Sequence, residues 1–232
     1  MLLWHALFGG DVEKFAELIR QDPGFNVNMW LEEYGFTLLH IACWEDKRSA
    51  VIPLLLAHPD IDVNVKDENA FRGTPFYFAS LNESPSCALE MLKDSRVKVN
   101  EPTKDGITPL REVAYNGHLD VIKWWIASGR EMDLGKPGDV DKTDAIGVAK
   151  KQGKTEVASL LERFKSDAAK TRSEVRLELG ITGQSLYSIS PLIIIFFFFF
   201  KLINLFQLRF PCDHSTKAHA GRVHCLRWWQ IL

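Results

Sequence analysis

The feature that most constrains this chain is an internal repeat with a period of about 36 residues. Small residues that we place inside a first helix recur 36, 37, 34 and 36 residues apart, at Ala6, Ala42, Ala79, Val113 and Ala149. A second marker, a Val-Asn pair, recurs every 36 residues at 27–28, 63–64 and 99–100, and Met132-Asp133 follows 33 residues later. Two independent markers that keep step, one over four periods and the other over three, predict a stack of similar structural units.

Each unit opens with a short apolar run that predicts a first helix. The runs are TLLHIA from Thr37, TPFYFA from Thr74 and TPLREV from Thr108. Threonine at this place is a helix N-cap, because its oxygen accepts a bond from a backbone N–H that lacks a partner within the helix. Proline at the next position suits the first turn, where no donor is needed. Asp144 takes the capping role in the last unit.

A second helix is predicted a few residues after the first. GHLDVIKWWIASG from Gly117 and GKTEVASLLERF from Gly153 carry apolar residues at helical spacing, which marks one buried face. Turn-forming residues follow the second helices, as in KDENAFRG from Lys66 and TKDG from Thr103. These turns predict hairpins or loops that project from the stack.

The order T-P-L-H-x-A, G-H, an apolar helix, V-N and a D-G turn resembles the ankyrin repeat. The best match is TPLREVAYNGHLDVIKWWIASG at 108–129, followed by GFTLLHIAC at 35–43. The resemblance implies an all-α fold, an ankyrin-repeat α-solenoid of helix–turn–helix repeats with projecting hairpin loops, plus an atypical C-terminal tail. One helix pair cannot bury its apolar face alone, so the units must stack to form a core. The resemblance also implies that His40 is structural and bonds backbone between repeats.

We predict an ankyrin-repeat domain at residues 1–164. Its five repeats are placed at 1–28, 35–64, 72–100, 106–133 and 142–164. Residues 165–180 contain good helix formers of mixed charge and predict a capping helix extension with a polar outer side. Residues 181–232 form the tail.

The tail has three open interpretations. Its unbroken apolar run, 192–200, has nine residues, too few to cross a bilayer, whereas 186–206 has 21 residues but includes Lys201 and Asn204. On an insertion scale the nine apolar residues contribute roughly −3 to −5 kcal/mol and a central lysine costs about +2.5 to +3.5 kcal/mol. The segment is therefore a genuine tail, a membrane anchor at 186–206, or non-coding sequence translated by a wrong gene model, since five Phe codons imply a T-rich tract.

Neither composition nor motifs predict an enzyme. The nucleotide-binding and metalloprotease motifs G-x-x-x-x-G-K-[ST], G-x-G-x-x-G and H-E-x-x-H do not occur in the sequence, and we predict no catalytic residue, no cofactor and no small-molecule substrate. The net charge of −2 argues against a nucleic-acid binder. The tail has one metal-like cluster whose spacing fits no zinc site we can justify, so we predict no metal: Cys212, His214, His219, His224 and Cys225.

The candidate binding residues come from the resemblance and from the turns. Positions late in successive first helices are expected to face a concave groove: Trp44, Glu45, Leu81, Asn82, Tyr115 and Asn116. Loop tips complete the surface, chiefly Glu33, Tyr34, Asp67, Glu68 and Asp105, with Glu32, Lys66, Asn69, Lys104, Asp139 and Asp141 beside them. Most of the charged residues at these tips are acidic, and this charge predicts a partner with a basic patch.

The sequence thus predicts a non-catalytic protein–protein interaction module, a scaffold or adaptor that binds an unidentified protein partner. Four cysteines do not make a disulfide framework, and MLLWHALFGGDVEKF lacks the basic start of a secretory signal. We therefore expect the protein in the cytoplasm or nucleus. The alternative is a membrane-tethered ankyrin protein held by residues 186–206.

Overall fold

The structure is a computed structural model that describes residues 2–22, 24–31, 33–69, 71–135 and 144–181. The chain divides into two units, Met1–Tyr187 and Ser188–Leu232, and all described residues belong to the first. Within the described ranges the α-helices are α1 (Leu2–Gly9), α2 (Val12–Gln21), α3 (Leu38–Trp44), α4 (Ile52–Leu56), α5 (Pro75–Leu81), α6 (Pro85–Lys93), α7 (Pro109–Asn116), α8 (Leu119–Ser128), α9 (Ala145–Lys151), α10 (Thr155–Ser166) and α11 (Ala168–Glu178).

The helices pack as a stack of antiparallel pairs. First helices contact first helices, α1 on α3, α3 on α5, α5 on α7 and α7 on α9. Second helices pack in a parallel row, of which α6 on α8 is the most extensive contact. The predicted all-α solenoid is confirmed. The repeat and domain boundaries stay a prediction.

The small residues that marked the repeat all lie in the core between helices. Each is at least 95% buried, as are the valines of the Val-Asn pairs: Ala6, Ala42, Ala79, Val113, Ala149, Val27, Val63 and Val99. Small side chains at these points let adjacent helices approach closely. Trp125 fills the space further along the stack, fully buried and edge-on to Phe76 at 5.0 Å between ring centroids.

Side-chain caps set the starts of three first helices. The hydroxyl oxygens of Thr74 and Thr108 accept bonds of 3.3 Å from the backbone N–H groups three residues ahead. The Asp144 carboxylate accepts the Gly147 N–H at 2.8 Å. Prolines occupy the first turns of α5 and α7, as predicted.

The second helix of the second pair is built differently from the others. A 3-10 helix, Asp46–Val51, precedes the short α4, and Pro53 lies in the first turn of α4. The 3-10 turn places Arg48 under the end of α3, where its guanidinium donates to the Ile41 carbonyl at 3.1 Å.

His40 joins two repeats through both ring nitrogens. Nδ1 accepts from the Thr37 backbone N–H at 3.2 Å and lies 2.9 Å from its hydroxyl, so the proton belongs on Nε2. Nε2 then donates to the Gly73 carbonyl of the next repeat at 3.3 Å. Burial lowers the pKa of His40 to about 4. The structural role that the resemblance implied is confirmed.

A row of asparagines joins consecutive repeats, and we call it the asparagine ladder: Asn28, Asn64 and Asn100. Each side-chain amide donates to a carbonyl of the next repeat, at Asp60, Arg96 and Glu131 over 2.7, 2.9 and 3.4 Å. Each side-chain oxygen accepts a backbone N–H two residues further on, from Asp62, Lys98 and Asp133 over 2.9, 2.7 and 3.2 Å. In the sequence these asparagines served only as markers of the repeat, and their hydrogen bonds between repeats were not predicted.

The first connecting loop contains a short antiparallel hairpin. Strands β1 (Trp30–Leu31) and β2 (Phe36–Thr37) pair Trp30 with Thr37 and Leu31 with Phe36. Gly35 closes the turn with φ of 63°, a conformation that favours glycine. This is one of the projecting hairpins that the turn residues predicted.

Helix α11 closes the described end of the stack. Its arginines donate to the last carbonyls of α8, Arg172 to Ile126 at 3.1 Å and Arg176 to Ala127 at 2.7 Å. Cationic donors at a helix C-terminus satisfy carbonyls that have no partner within the helix. Because α10 ends at Ser166 and Asp167 caps a new helix, residues 168–178 form a separate capping helix and do not extend α10.

Candidate partner-binding surface

The ends of three successive first helices form the groove face, which we define by Trp44, Glu45, Leu81, Asn82, Tyr115 and Asn116. Trp44 is 37% exposed and Tyr115 is 45% exposed, whereas Leu81 is half-buried. The carbonyl of Leu81 accepts a 3.0 Å bond from Nε2 of His118 in the next repeat. Two aromatic side chains therefore reach solvent from equivalent places in the second and fourth repeats.

Trp44 is held in place by neighbouring rings. It stacks on Phe78 of the next repeat, with centroids 5.2 Å apart and planes 18° apart. Phe36 of the hairpin meets it edge-on at 5.3 Å. Among the described residues Tyr115 has no such ring neighbour. The two aromatic positions are thus equivalent in the repeat but differ in how firmly they are oriented.

Glu45 is already paired within the protein. Its two oxygens lie 2.8 Å from Lys47 Nζ and 2.6 Å from Arg48 Nη2. The hydrogen bond from Lys47 is the main cause that lowers the pKa of Glu45, and the charge of Arg48 acts in the same direction. The carboxylate is half-exposed but is not a free negative charge.

The two asparagine side chains of the groove face differ in whether they are hydrogen-bonded within the protein. Asn116 donates to the Glu112 carbonyl at 3.1 Å, within its own helix. The Asn82 amide nitrogen is buried without a hydrogen-bond partner among the described residues. A buried donor without a partner costs about 1–3 kcal/mol, so Asn82 is a weak point of the third repeat.

The prediction that Asp67 lies at an exposed loop tip is wrong. Its side chain is fully buried and cannot meet a partner. Its carboxylate accepts the backbone N–H of Asn69 at 2.7 Å and that of Gly73. Asp67 therefore closes the second loop from inside. The sequence placed it on the surface because aspartate in a turn usually faces water.

The predicted acidic character of the loop tips stays a prediction. Glu33, Tyr34, Glu68 and Asp105 are exposed as expected, with Tyr34 at 57%. A polar depression between the second and third loops is nevertheless lined by three cations and one carboxylate: Lys66, Arg72, Lys104 and Glu68, with Asn69. Lys66 pairs with Glu101 at 2.8 Å. Glu32, Asp139 and Asp141 lie outside the described residues. The tips carry mixed charge.

Next to Trp44 lies a cavity of about 250 Å³, which we call the aromatic pocket. Its walls are mostly carbon and come from α1, the hairpin, α3 and the 3-10 helix: Phe8, Leu31, Tyr34, Phe36, Ile41, Trp44, Glu45 and Arg48. The structure thus brings together Trp44 and Glu45 from the groove face and Tyr34 from a loop tip. Phe8, Leu31, Phe36 and Arg48 were missed, because no local pattern links them to Trp44.

The nucleophilic and basic side chains of the core are committed to structure. Cys43 and Cys87 are free and buried, and burial raises the pKa of both thiols, that of Cys87 to about 12. In the described ranges no group of three or more His, Cys, Asp or Glu side chains is placed to hold a metal ion. The cluster from Cys212 to Cys225 lies outside those ranges.

Among the described helices none is both long enough and apolar enough to cross a membrane. Residues 186–206, the predicted alternative anchor, lie outside the described residues.

The stack, its caps and its inter-repeat bonds define a class of protein, the helical repeat solenoid. The family model of the ankyrin repeat matches residues 34–68, and a model of ankyrin repeats in many copies matches residues 88–126. The chain therefore contains ankyrin repeats, and these repeats support a protein-interaction module.

Relatives show the same repeats within much longer proteins. The SMC5-SMC6 complex localization factor protein 1 of Bos taurus is 30% identical over 152 residues, 63% of this chain and 14% of that protein. The Homo sapiens protein of the same name gives the same identity and shares. The serine/threonine-protein kinase TNNI3K of Mus musculus is 24% identical over 139 residues, 57% of this chain and 16% of the kinase. The chain therefore spans only about one seventh of the length of these relatives.

Proposed function

We propose that the chain is a non-catalytic scaffold or adaptor that binds a protein partner through the groove face and the exposed loop tips. The observation that carries the proposal is the pair of exposed aromatic side chains, Trp44 and Tyr115, at equivalent helix ends. Exposed aromatic residues on a rigid scaffold are the usual energetic centres of protein interfaces. Glu33, Tyr34, Glu68 and Asp105 at the tips would form the polar rim.

The non-catalytic part of the proposal is supported by how the reactive side chains are used. His40 has a pKa of about 4 and both of its ring nitrogens are engaged, so it is a poor general base near neutral pH. The thiols of Cys43 and Cys87 are buried and protonated. The similarity to TNNI3K covers only 16% of that kinase and supports no kinase activity here.

The similarity to two SMC5-SMC6 complex localization factors supports a role in recruiting a protein assembly. It makes the SMC5–SMC6 complex the first candidate partner to test. We propose a cytoplasmic or nuclear location. The membrane-tethered alternative has no supporting observation among the described residues or the relatives.

The proposal is tested by affinity purification from native extract with the full chain as bait, beside a Trp44→Ala, Tyr115→Ala double variant. Each partner found, and the SMC5–SMC6 complex, is then purified and titrated against both proteins by calorimetry. We expect one partner to bind with one-to-one stoichiometry and to bind the folded double variant at least tenfold more weakly. If no purified protein binds, or if the double variant binds equally well, the proposed surface is wrong.

A further inference from the structure

We infer that the aromatic pocket receives one bulky, uncharged side chain from a peptide segment of the partner. The inference rests on the proposed function and narrows it from a broad face to one place. The pocket lies at the first two repeats, where α1, the hairpin, α3 and the 3-10 helix meet. It contains three of the candidate residues at once, Trp44, Glu45 and Tyr34, whereas Leu81 and Tyr115 lie outside it.

The size of the pocket favours a side chain over a free small molecule. Small-molecule sites usually enclose about 300–1,000 Å³. The aromatic pocket encloses about 250 Å³. A cavity of about 150 Å³ in another protein holds one benzene molecule, so this pocket can accept a phenyl ring or a branched aliphatic group.

The walls favour an uncharged occupant. Glu45 and Arg48 both line the pocket and form a 2.6 Å ion pair, so neither presents an unpaired charge to an occupant. A charged occupant would be attracted by one member of this pair and repelled by the other. Either charge would also lose its hydration against a wall that is mostly carbon, which costs several kcal/mol for an ion of this size. A side chain such as Leu, Ile, Met or Phe meets none of these penalties.

The walls are also held rigidly before any partner binds. Trp44 is fixed between Phe78 and Phe36, and Arg48 lies 4.8 Å from the centroid of the Phe8 ring. Arg48 is buried and donates to the Ile41 carbonyl. Because these side chains are already ordered, they lose little conformational entropy when a partner binds.

The test uses a phage-displayed library of random twelve-residue peptides, panned on the immobilised full chain. Enriched peptides are synthesised with a fluorescent label and titrated against the wild type and three variants. Trp44→Ala and Tyr34→Ala each remove one wall of the pocket, and Tyr34 is exposed, so its loss should leave the fold intact. Leu177→Ala removes an exposed apolar side chain from α11, outside the proposed binding surface, and is the control.

We expect enriched peptides to share one Leu, Ile, Met or Phe, whose replacement by alanine weakens binding at least tenfold. Both pocket variants should weaken binding by a similar factor, and Leu177→Ala should leave it within twofold. Peptides anchored by a charged residue would overturn the inference. So would peptides that bind both pocket variants as tightly as the wild type, although these would leave the interaction module standing.

Two further outcomes separate other occupants from a partner. A synthetic peptide of residues 192–206 that binds at Trp44 as tightly as the enriched peptides would assign the pocket to the chain itself and overturn a partner segment. If no peptide binds while a purified protein partner does, the pocket is wrong and the module is right. If neither binds, the proposed function fails as well.

Discussion

The asparagine ladder and the groove face each take one position from three repeats, yet they behave differently. Asn28, Asn64 and Asn100 make the same two bonds each time, to a carbonyl and to an N–H of the next repeat. Trp44, Leu81 and Tyr115 have three different environments: a ring stack, a half-buried contact and open solvent. The repeated residues hold the units together, and the unrepeated ones are free to serve recognition. Variants that are measured for both stability and binding test whether these two groups of residues are distinct.

The largest effect on stability is expected at Asp67, which was predicted to lie on the binding surface but is buried. Asp67→Ala removes two hydrogen bonds to a charged acceptor, from the buried Gly73 N–H and the part-buried Asn69 N–H, which together contribute about 4 kcal/mol of unfolding free energy. Urea unfolding measures the loss. Glu68→Ala, one residue further along and exposed, is the control and should change stability by less than about 0.5 kcal/mol. Equal effects would return Asp67 to the surface.

His40 predicts a pH dependence of stability. The pKa of His40 is about 4 in the folded protein and about 6.5 in an unfolded chain, so the unfolded chain binds a proton more readily between these values. The stabilisation is complete above pH 6.5 and is lost as pH falls toward 4, by about 3 kcal/mol in all. Urea titrations at pH 7, 5.5 and 4.5 should show the loss. His40→Gln should be less stable at pH 7 but lose less on acidification, and an unchanged slope would contradict the assignment.

The ladder itself should give graded losses. Asn64→Ala removes bonds of 2.9 and 2.7 Å and should cost about 2 kcal/mol, since each net hydrogen bond contributes about 1 kcal/mol. Asn100→Ala removes longer bonds of 3.4 and 3.2 Å and should cost about half as much. Thermal and urea unfolding compare the two variants. Equal or reversed losses would show that the ladder is not a set of equivalent joints.

The smallest change in stability is expected at Tyr115. Tyr115→Ala removes an exposed ring without a ring neighbour among the described residues, so unfolding should change by less than about 0.5 kcal/mol. Differential scanning calorimetry measures this change. A loss of several kcal/mol would mean that Tyr115 supports the stack and does not belong to the recognition set.

The fold could be predicted because its determinants repeat in the sequence. Thr caps, small core residues and the Val-Asn pairs recur at a fixed spacing, and one unit suffices to interpret the next. The site could be predicted only in part. Trp44 and Tyr34 were found from their place in the repeat, but Phe8 and Arg48 reach the same pocket from α1 and from an unexpected 3-10 helix. Asp67 was misplaced, because a sequence pattern does not show which way a loop carboxylate points.

The most direct test measures stability and binding together for one residue from each set, Trp44→Ala and Asn64→Ala. The readouts are unfolding free energy in urea and affinity for one peptide selected on the wild-type chain. We expect Trp44→Ala to unfold cooperatively but to bind the peptide at least tenfold more weakly than the wild type. We expect Asn64→Ala to lose about 2 kcal/mol of unfolding free energy and to bind the peptide as the wild type does. If both variants lose stability and affinity in the same proportion, the division between structural and recognition residues is wrong.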